Sequence, residues 1–303
     1  MKKAILSTLA YGDIFNYPLT KEEIWKWLIW EERRAKREGR REREFNHWFE
    51  FVLNSCQIRV TQGFYHLPDR ENIVKLRKKR EAWSQQKLKL AEKVAGILRE
   101  IPWIKMTGIT GALAMKNSQE NDDIDLLIIT SRNRLWLTRF LTVFLVELFS
   151  KRRHPQDLEV KDKICLNMFL DEDHLAVPEK ERDLFSAHEV LQLKPIWSRD
   201  NLYERFLREN AWVEKYLPNG IDIKNQKLNI KNIYRISKLF SFLIFLCNFT
   251  FFERLSKKFQ LWYMRDRRTT EKISDGIIRF HPQDARIWVL KEYRKRLKKI
   301  CQT

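Results

Sequence analysis

Apolar positions along this chain change period several times, and each change marks an element. From Lys3 to Phe15 the apolar residues Ile5, Leu9, Ile14 and Phe15 predict a first helix. Thr20 precedes Lys21 to Trp30, with Glu23 three residues later, which is the spacing of a capping box at a helix start. Phe45 to Leu53 repeats the helical pattern through Trp48, Phe49 and Val52. Gln57 to Thr61 and Phe64 to Leu67 then alternate like two strands around Gln62-Gly63, predicting a hairpin. Residues 1–68 thus form a small helical module, followed over 69–100 by a long charged helix that is apolar at Ile73, Leu76, Leu88, Val94 and Leu98. Such a helix reads as a connector with a solvated face.

The middle of the chain switches between periods. Trp103 to Gly108 reads as a strand, Gly111 to Lys116 as a turn and short helix, and Ile124 to Thr130 as a strand. Leu135 to Phe149 reads as a helix and Ile164 to Leu170 as another strand. This alternation predicts an α+β fold in which helices cover a mixed sheet. The core is placed at 101–184 and a helical C-terminal region at 185–303, with helices over Leu202 to Tyr216, Ile233 to about Met264, and Asp284 to Ile300. His281-Pro282 reads as the lead into the last helix, with Pro282 in its first turn and His281 structural.

Chemistry concentrates in the stretch from Thr110 to Ile129. A small-residue turn, Thr110-Gly111-Ala112, leads through a polar connection to a strand opened by Asp123 and Asp125. Side chains alternate along a strand, so these two carboxylates project on one side. Their repulsion calls for a cation, and hard oxygen ligands suit Mg²⁺ held jointly with substrate phosphates. The turn is small enough for a triphosphate to approach the backbone, and Lys116 just beyond it is a candidate phosphate contact.

This arrangement resembles the nucleotidyltransferase superfamily of the DNA polymerase β type. Its signature is a Gly-Ser or Gly-Gly turn, a spacer of about ten residues and Asp-x-Asp in an apolar strand. Gly111-Ala112 fills the turn and Asp123-Ile124-Asp125 the pair, with the match covering residues 100 to 170. The resemblance implies transfer of a nucleoside monophosphate from an NTP to an acceptor, with Mg²⁺ or Mn²⁺ as cofactor. It makes Asp123 and Asp125 the metal ligands and catalytic pair, and Thr110, Gly111, Ala112 and Lys116 the nucleotide contacts. The sequence departs from the pattern twice. Ala112 replaces the turn serine, and Asn167 stands where a third carboxylate is expected on the neighbouring strand. Asp157, Glu159 and Asp162 before that strand, or Asp171 to Asp173 after it, are substitutes that folding could bring in. A catalytically degenerate domain acting as a nucleic-acid-binding regulator is the alternative.

Three helices and a hairpin in 1–68 resemble a winged helix-turn-helix, with a basic arm from Arg33 to Arg43 between the second and third helices. That implies a nucleic-acid partner, or a protein partner or packing role. The net charge of +19 over 303 residues attracts polyanions, which keeps nucleic acid in view. Four scattered cysteines show no paired spacing and point to a reducing, cytoplasmic setting. The apolar start Ala4-Ile5-Leu6 reads as an ordinary helix, since Gly12-Asp13 ends it without a cleavage signal. The run from Leu239 to Phe252 is shorter than the ~20 residues a spanning helix needs. It reads as a buried helix, with a membrane-surface segment as the minor alternative because Lys257, Lys258 and Arg265 to Arg268 lie nearby.

Overall fold

A computed structural model describes residues 1–30, 38–221, 250–265, 272–280 and 285–302. Most of the Leu239–Phe252 run, the first part of the basic arm and the His281-Pro282 pair lie outside the described residues. The N-terminal elements are helices α1 (Lys2–Ile14), α2 (Lys21–Lys26) and α3 (Glu38–Asn54), then strands β1 (Arg59–Thr61) and β2 (Phe64–His66). A long helix, α4 (Asn72–Leu98), follows. Beyond it come β3 (Ile104–Ile109), α5 (Gly111–Ala114), β4 (Ile124–Thr130), α6 (Leu135–Phe149) and β5 (Ile164–Asp171). The remaining elements are α7 (Leu184–Gln192), β6 (Lys194–Ser198), α8 (Leu202–Glu209), α9 (Thr250–Met264), β7 (Lys272–Ile273), β8 (Ile277–Arg279) and α10 (Ala285–Gln302).

Thr20 caps α2 reciprocally: its Oγ1 accepts from the Glu23 amide at 3.3 Å, and its own amide donates to Glu23 Oε2 at 2.9 Å. The helix stops at Lys26 rather than Trp30, because the Ile29 amide donates to Thr8 Oγ1 and the Trp30 amide to the Tyr216 carbonyl. Tertiary partners thus outbid helix continuation in a segment where Trp27, Leu28, Ile29 and Trp30 are all buried. Thr20→Ala is expected to cost about 1 kcal/mol, read as a lowered midpoint in urea with an unchanged slope.

The main sheet has six strands in the order β6-β3-β4-β5-β8-β7. Only β4 and β5 run parallel, joined through α6; the other neighbouring pairs are antiparallel. Both faces are covered. Ile124, Leu126 and Ile128 of β4 point toward α4 and α6, packing with Val94, Leu98, Trp136 and Leu145. Leu127 and Ile129 point the other way, into a core with α7, α8, α10 and the N-terminal helices. A strand buried on both faces must be apolar throughout, which explains the unbroken run from Leu126 to Ile129.

The stretch from Phe185 onward is not almost wholly helical. β6 pairs with β3, and the hairpin β7–β8 extends the sheet from β5. β6 contains Pro195, which is tolerated because β6 is an edge strand. β7 and β8 have two and three residues, too few to show a period.

The charged helix α4 also differs from expectation, since Arg77, Arg80 and Lys87 are buried. Arg77 makes a two-pronged bond to Glu23 at 2.7 and 2.8 Å and meets Glu81 at 3.0 Å. Lys87 donates to Asp162 at 2.7 Å and to the Glu120 and Asp122 carbonyls, tying down the connection that leads to the acidic pair. The helix is a clamp. The N-terminal module packs tightly against the rest: Tyr11 stacks on His188 with ring centroids 4.0 Å apart, and Asp13 receives both Arg70 and Arg296. Large apolar residues remain exposed on α6 (Phe140, Phe144, Leu148, Phe149) and α9 (Phe251, Leu255, Phe259, Trp262). Among the described residues no helix is long and apolar enough to cross a membrane.

Candidate functional site

Asp123 lies just before β4, and Asp125 is its second residue. Ligand atoms of Asp123, Asp125 and Cys165 lie within 4.8 Å of one another, so the two carboxylates share a side as the alternation requires. Asp125 sits opposite Cys165 in the β4–β5 register, but Leu127 sits opposite Met168, so β5 carries one extra residue between them. This bulge resets the pleat. It lets Asn167 reach Asp125 while Met168 and Leu170 still face the core on that side. Asn167 Nδ2 donates to Asp125 Oδ1 at 2.7 Å, which leaves the buried Asn167 Oδ1 without a partner.

The turn closes over the same carboxylate. The Thr110 amide donates to the Asp125 carbonyl at 3.1 Å. Gly111 follows with φ of +64°, and a Cβ there would stand 2.9 Å from Asp125 Oδ2. Glycine is therefore required twice, for the left-handed backbone and for the space. Ala112 is exposed to the hollow beside the turn. Lys116, also at positive φ, is exposed, and its charge adds to the burial that lowers the pKa of Lys194 on β6. Neither lysine has a hydrogen-bond or ion-pair partner among the described residues. Lys194 pairs with Ile109, immediately before the turn. Ile109 packs on the α4 side of the sheet, so Lys194 shares that side, where Glu92 acts on it, on the face opposite Asp125.

Electrostatically the site is under tension. Burial, then the Asp123 charge, pushes Asp125 up to about 7. Arg153 compensates in part by donating to Asp123 Oδ2 at 2.6 Å. Burial and the Asp125 charge push the Cys165 thiol well up, so it stays protonated and donates to Asp125. A neutral thiol is a poor metal ligand. The ligands on offer are the two carboxylates, and that hard-oxygen pair fits Mg²⁺ or Mn²⁺ rather than a thiophilic ion.

Beside the turn lies a cavity of about 790 Å³. Its walls come from α1 and the residues after it (Tyr11, Phe15, Tyr17), the turn (Gly111, Ala112), α7 (His188, Glu189) and α10 (Trp288). Glu189 lines this hollow with its side chain exposed in it; the surrounding protein, with the Asp125 charge added, pushes its carboxyl up to about 7. His188 beside it is lowered to about 3 by burial and is neutral.

The acidic residues around β5 turn elsewhere. Asp157 pairs with Lys163, Asp162 with Lys87, Asp171 with His174 and Asp173 with Arg132. Glu172 faces Arg205 at 4.0 Å and accepts from the Arg132 amide. Among the described residues no third carboxylate joins Asp123 and Asp125 directly; Cys165 and Asn167 fill the adjoining positions. Cys165 and Arg153 adjoin the acidic pair, Glu189 lines the cavity beside the turn, and all three were missed by sequence reasoning. Cys165 was findable, two residues before Asn167 on the same strand face. The other two carry no local signal. No family model, curated protein or solved structure matches the chain. The site's chemistry is accordingly inferred from its own residues.

Proposed function

We propose that this chain is a Mg²⁺-dependent nucleotidyltransferase with a polymerase-β-like core, moving a nucleoside monophosphate from an NTP to an acceptor. The observation that carries this reading is the enclosed pair Asp123 and Asp125, against which the Gly111 turn is closed. Two like charges held this way are poised for a divalent ion, with Mn²⁺ able to substitute. Such an ion, when bound, supplies charge neutralisation on the phosphates and a more acidic attacking group. Asp123 and Asp125 would hold it. Gly111 and Ala112 leave the backbone open to the phosphates, and Lys116 balances their charge. Glu189, near neutral pKa and bordering the cavity, would accept the proton of the acceptor's attacking group.

The test needs no knowledge of the acceptor. In thermal-shift titrations, Mg-NTP at 100 times its Kd is expected to stabilise the wild type by about 2.7 kcal/mol. The Asp123→Asn/Asp125→Asn double variant is expected to show no shift. An equal shift in both proteins would remove the carboxylates from the mechanism.

A second reading, a degenerate domain serving as a nucleic-acid-binding regulator, is favoured by Asn167 and Cys165 in place of a third acid. Against a nucleic-acid role for the winged-helix-like module, the charged and histidine side chains described as exposed on α3 are Glu42, Arg43, His47 and Glu50, which among the described residues give no basic excess. Asn167→Asp separates the two readings. Adding a third charged oxygen beside Asp125 is expected to tighten Mn²⁺ binding by about tenfold in a catalytic-type site, measured by calorimetry with a non-hydrolysable NTP. A site that binds no metal in either form supports the regulator.

A further inference from the structure

We propose that the cavity beside the Gly111 turn binds a small organic molecule with an aromatic-sized apolar body and one protic head, a hydroxyl or amine, that donates to Glu189. Under the nucleotidyltransferase reading, on which this role rests, that molecule is the acceptor. Three observations converge on this chemistry. The first is size and lining. A volume of about 790 Å³ walled by Tyr11, Phe15, Tyr17 and Trp288 suits a compact aromatic or aliphatic body. A nucleic-acid strand asks instead for an open groove lined with cations.

The second is the lone carboxylate. Glu189 has no hydrogen-bond or ion-pair partner for its side chain among the described residues. The basic side chains lining the cavity are committed elsewhere: Lys272 and Arg279 both pair with Glu181, and Arg286 faces Asp183 at 3.6 Å. Its side chain opens onto the cavity, so its hydrogen-bond donor comes from whatever occupies that space. The third is position. Gly111 and Ala112 line the same cavity as Glu189, and the Asp125 charge acts on Glu189, so a head group held there is near the turn that closes over the acidic pair. The N-terminal helix, through Thr8, Tyr11 and Gly12, forms one wall, which gives that module a substrate-enclosing role.

Matched probes test this on the full chain. Tryptamine, tryptophol and indole-3-propionate share one indole body and differ only in an amine, hydroxyl or carboxylate head. Saturation-transfer NMR and calorimetry are expected to show binding of the first two, with the carboxylate at least about tenfold weaker because it would face Glu189 and Asp125. In Glu189→Gln, checked for folding by its thermal melt, that discrimination is expected to shrink severalfold, since an amide can donate to the carboxylate and only the Asp125 charge still opposes it. The Asp123→Asn/Asp125→Asn variant should still bind tryptamine and tryptophol. Retained probe binding without any Mg-NTP shift in the wild type would sink the transferase reading but leave the ligand site standing. No binding of any probe, equal binding of all three, or unchanged discrimination in Glu189→Gln would overturn the proposal.

Discussion

Asp125→Asn is expected to change the protein in opposite directions with and without ligand. In the ligand-free protein the substitution should stabilise above neutral pH. Asp125 has a folded-state pKa of about 7 against an ordinary value of 3.8, so the folded protein binds the extra proton between those limits. The stability this confers is fully present below pH of about 4 and is lost as pH rises through about 7. Asparagine carries no charge to bury and can still accept from Asn167 Nδ2. The expected gain at pH 8 is on the order of 2 kcal/mol, discounted because the carboxylate is partly accessible. Urea melts of wild type and variant at pH 5 and pH 8 measure it: the gap between the curves should be smaller at the lower pH and widen at the higher. With Mg-NTP present the order should reverse, since only the wild type is stabilised by ligand. A variant that is less stable at pH 8 without ligand would show that Asp125 is not held in a repulsive, enclosed setting.

Gly111→Ala should be nearly as damaging by a different route. The left-handed backbone at this position costs an alanine about 1–2 kcal/mol. The new methyl would also stand 2.9 Å from Asp125 Oδ2, a carboxylate pinned by Asn167. Relief requires either the turn or Asp125 to move, adding about 1–3 kcal/mol. The expected total is roughly 2–4 kcal/mol of lost stability together with loss of the Mg-NTP shift. The control is Gly63→Ala, also at positive φ but with open space around its Cβ position. It should cost only the backbone strain and leave any nucleotide response intact. Equal losses in the two variants would mean that proximity to Asp125 plays no part.

Much of this architecture was legible from local pattern. β4 and α6 fall where the periodicity places them, Ile124 to Thr130 and Leu135 to Phe149, because each is long and strongly patterned. The capping box at Thr20 and the turn at Gln62-Gly63 encode their own geometry, as short-range hydrogen bonds and positive φ do. Asn167 was placed correctly beside the acidic pair, although the bulge that brings it there leaves no trace in the residue order.

The sequence by itself therefore determined the central strands and helices from β3 to β5, the shared face of Asp123 and Asp125, and a small-residue turn beside them. These follow from interactions within a few residues, whose energies do not depend on where the rest of the chain goes. Only the tertiary structure decided that β6 and the β7–β8 hairpin complete the sheet, because strands of two to five residues gain their stability from partners distant in sequence. It alone decided that Arg77, Arg80 and Lys87 turn inward, that Arg153 reaches Asp123, and that Glu189 lines the cavity beside the turn. Charge in a sequence names a residue's chemistry, whereas enclosure and neighbouring charge set its pKa and its partners. Both arise from packing between elements far apart along the chain.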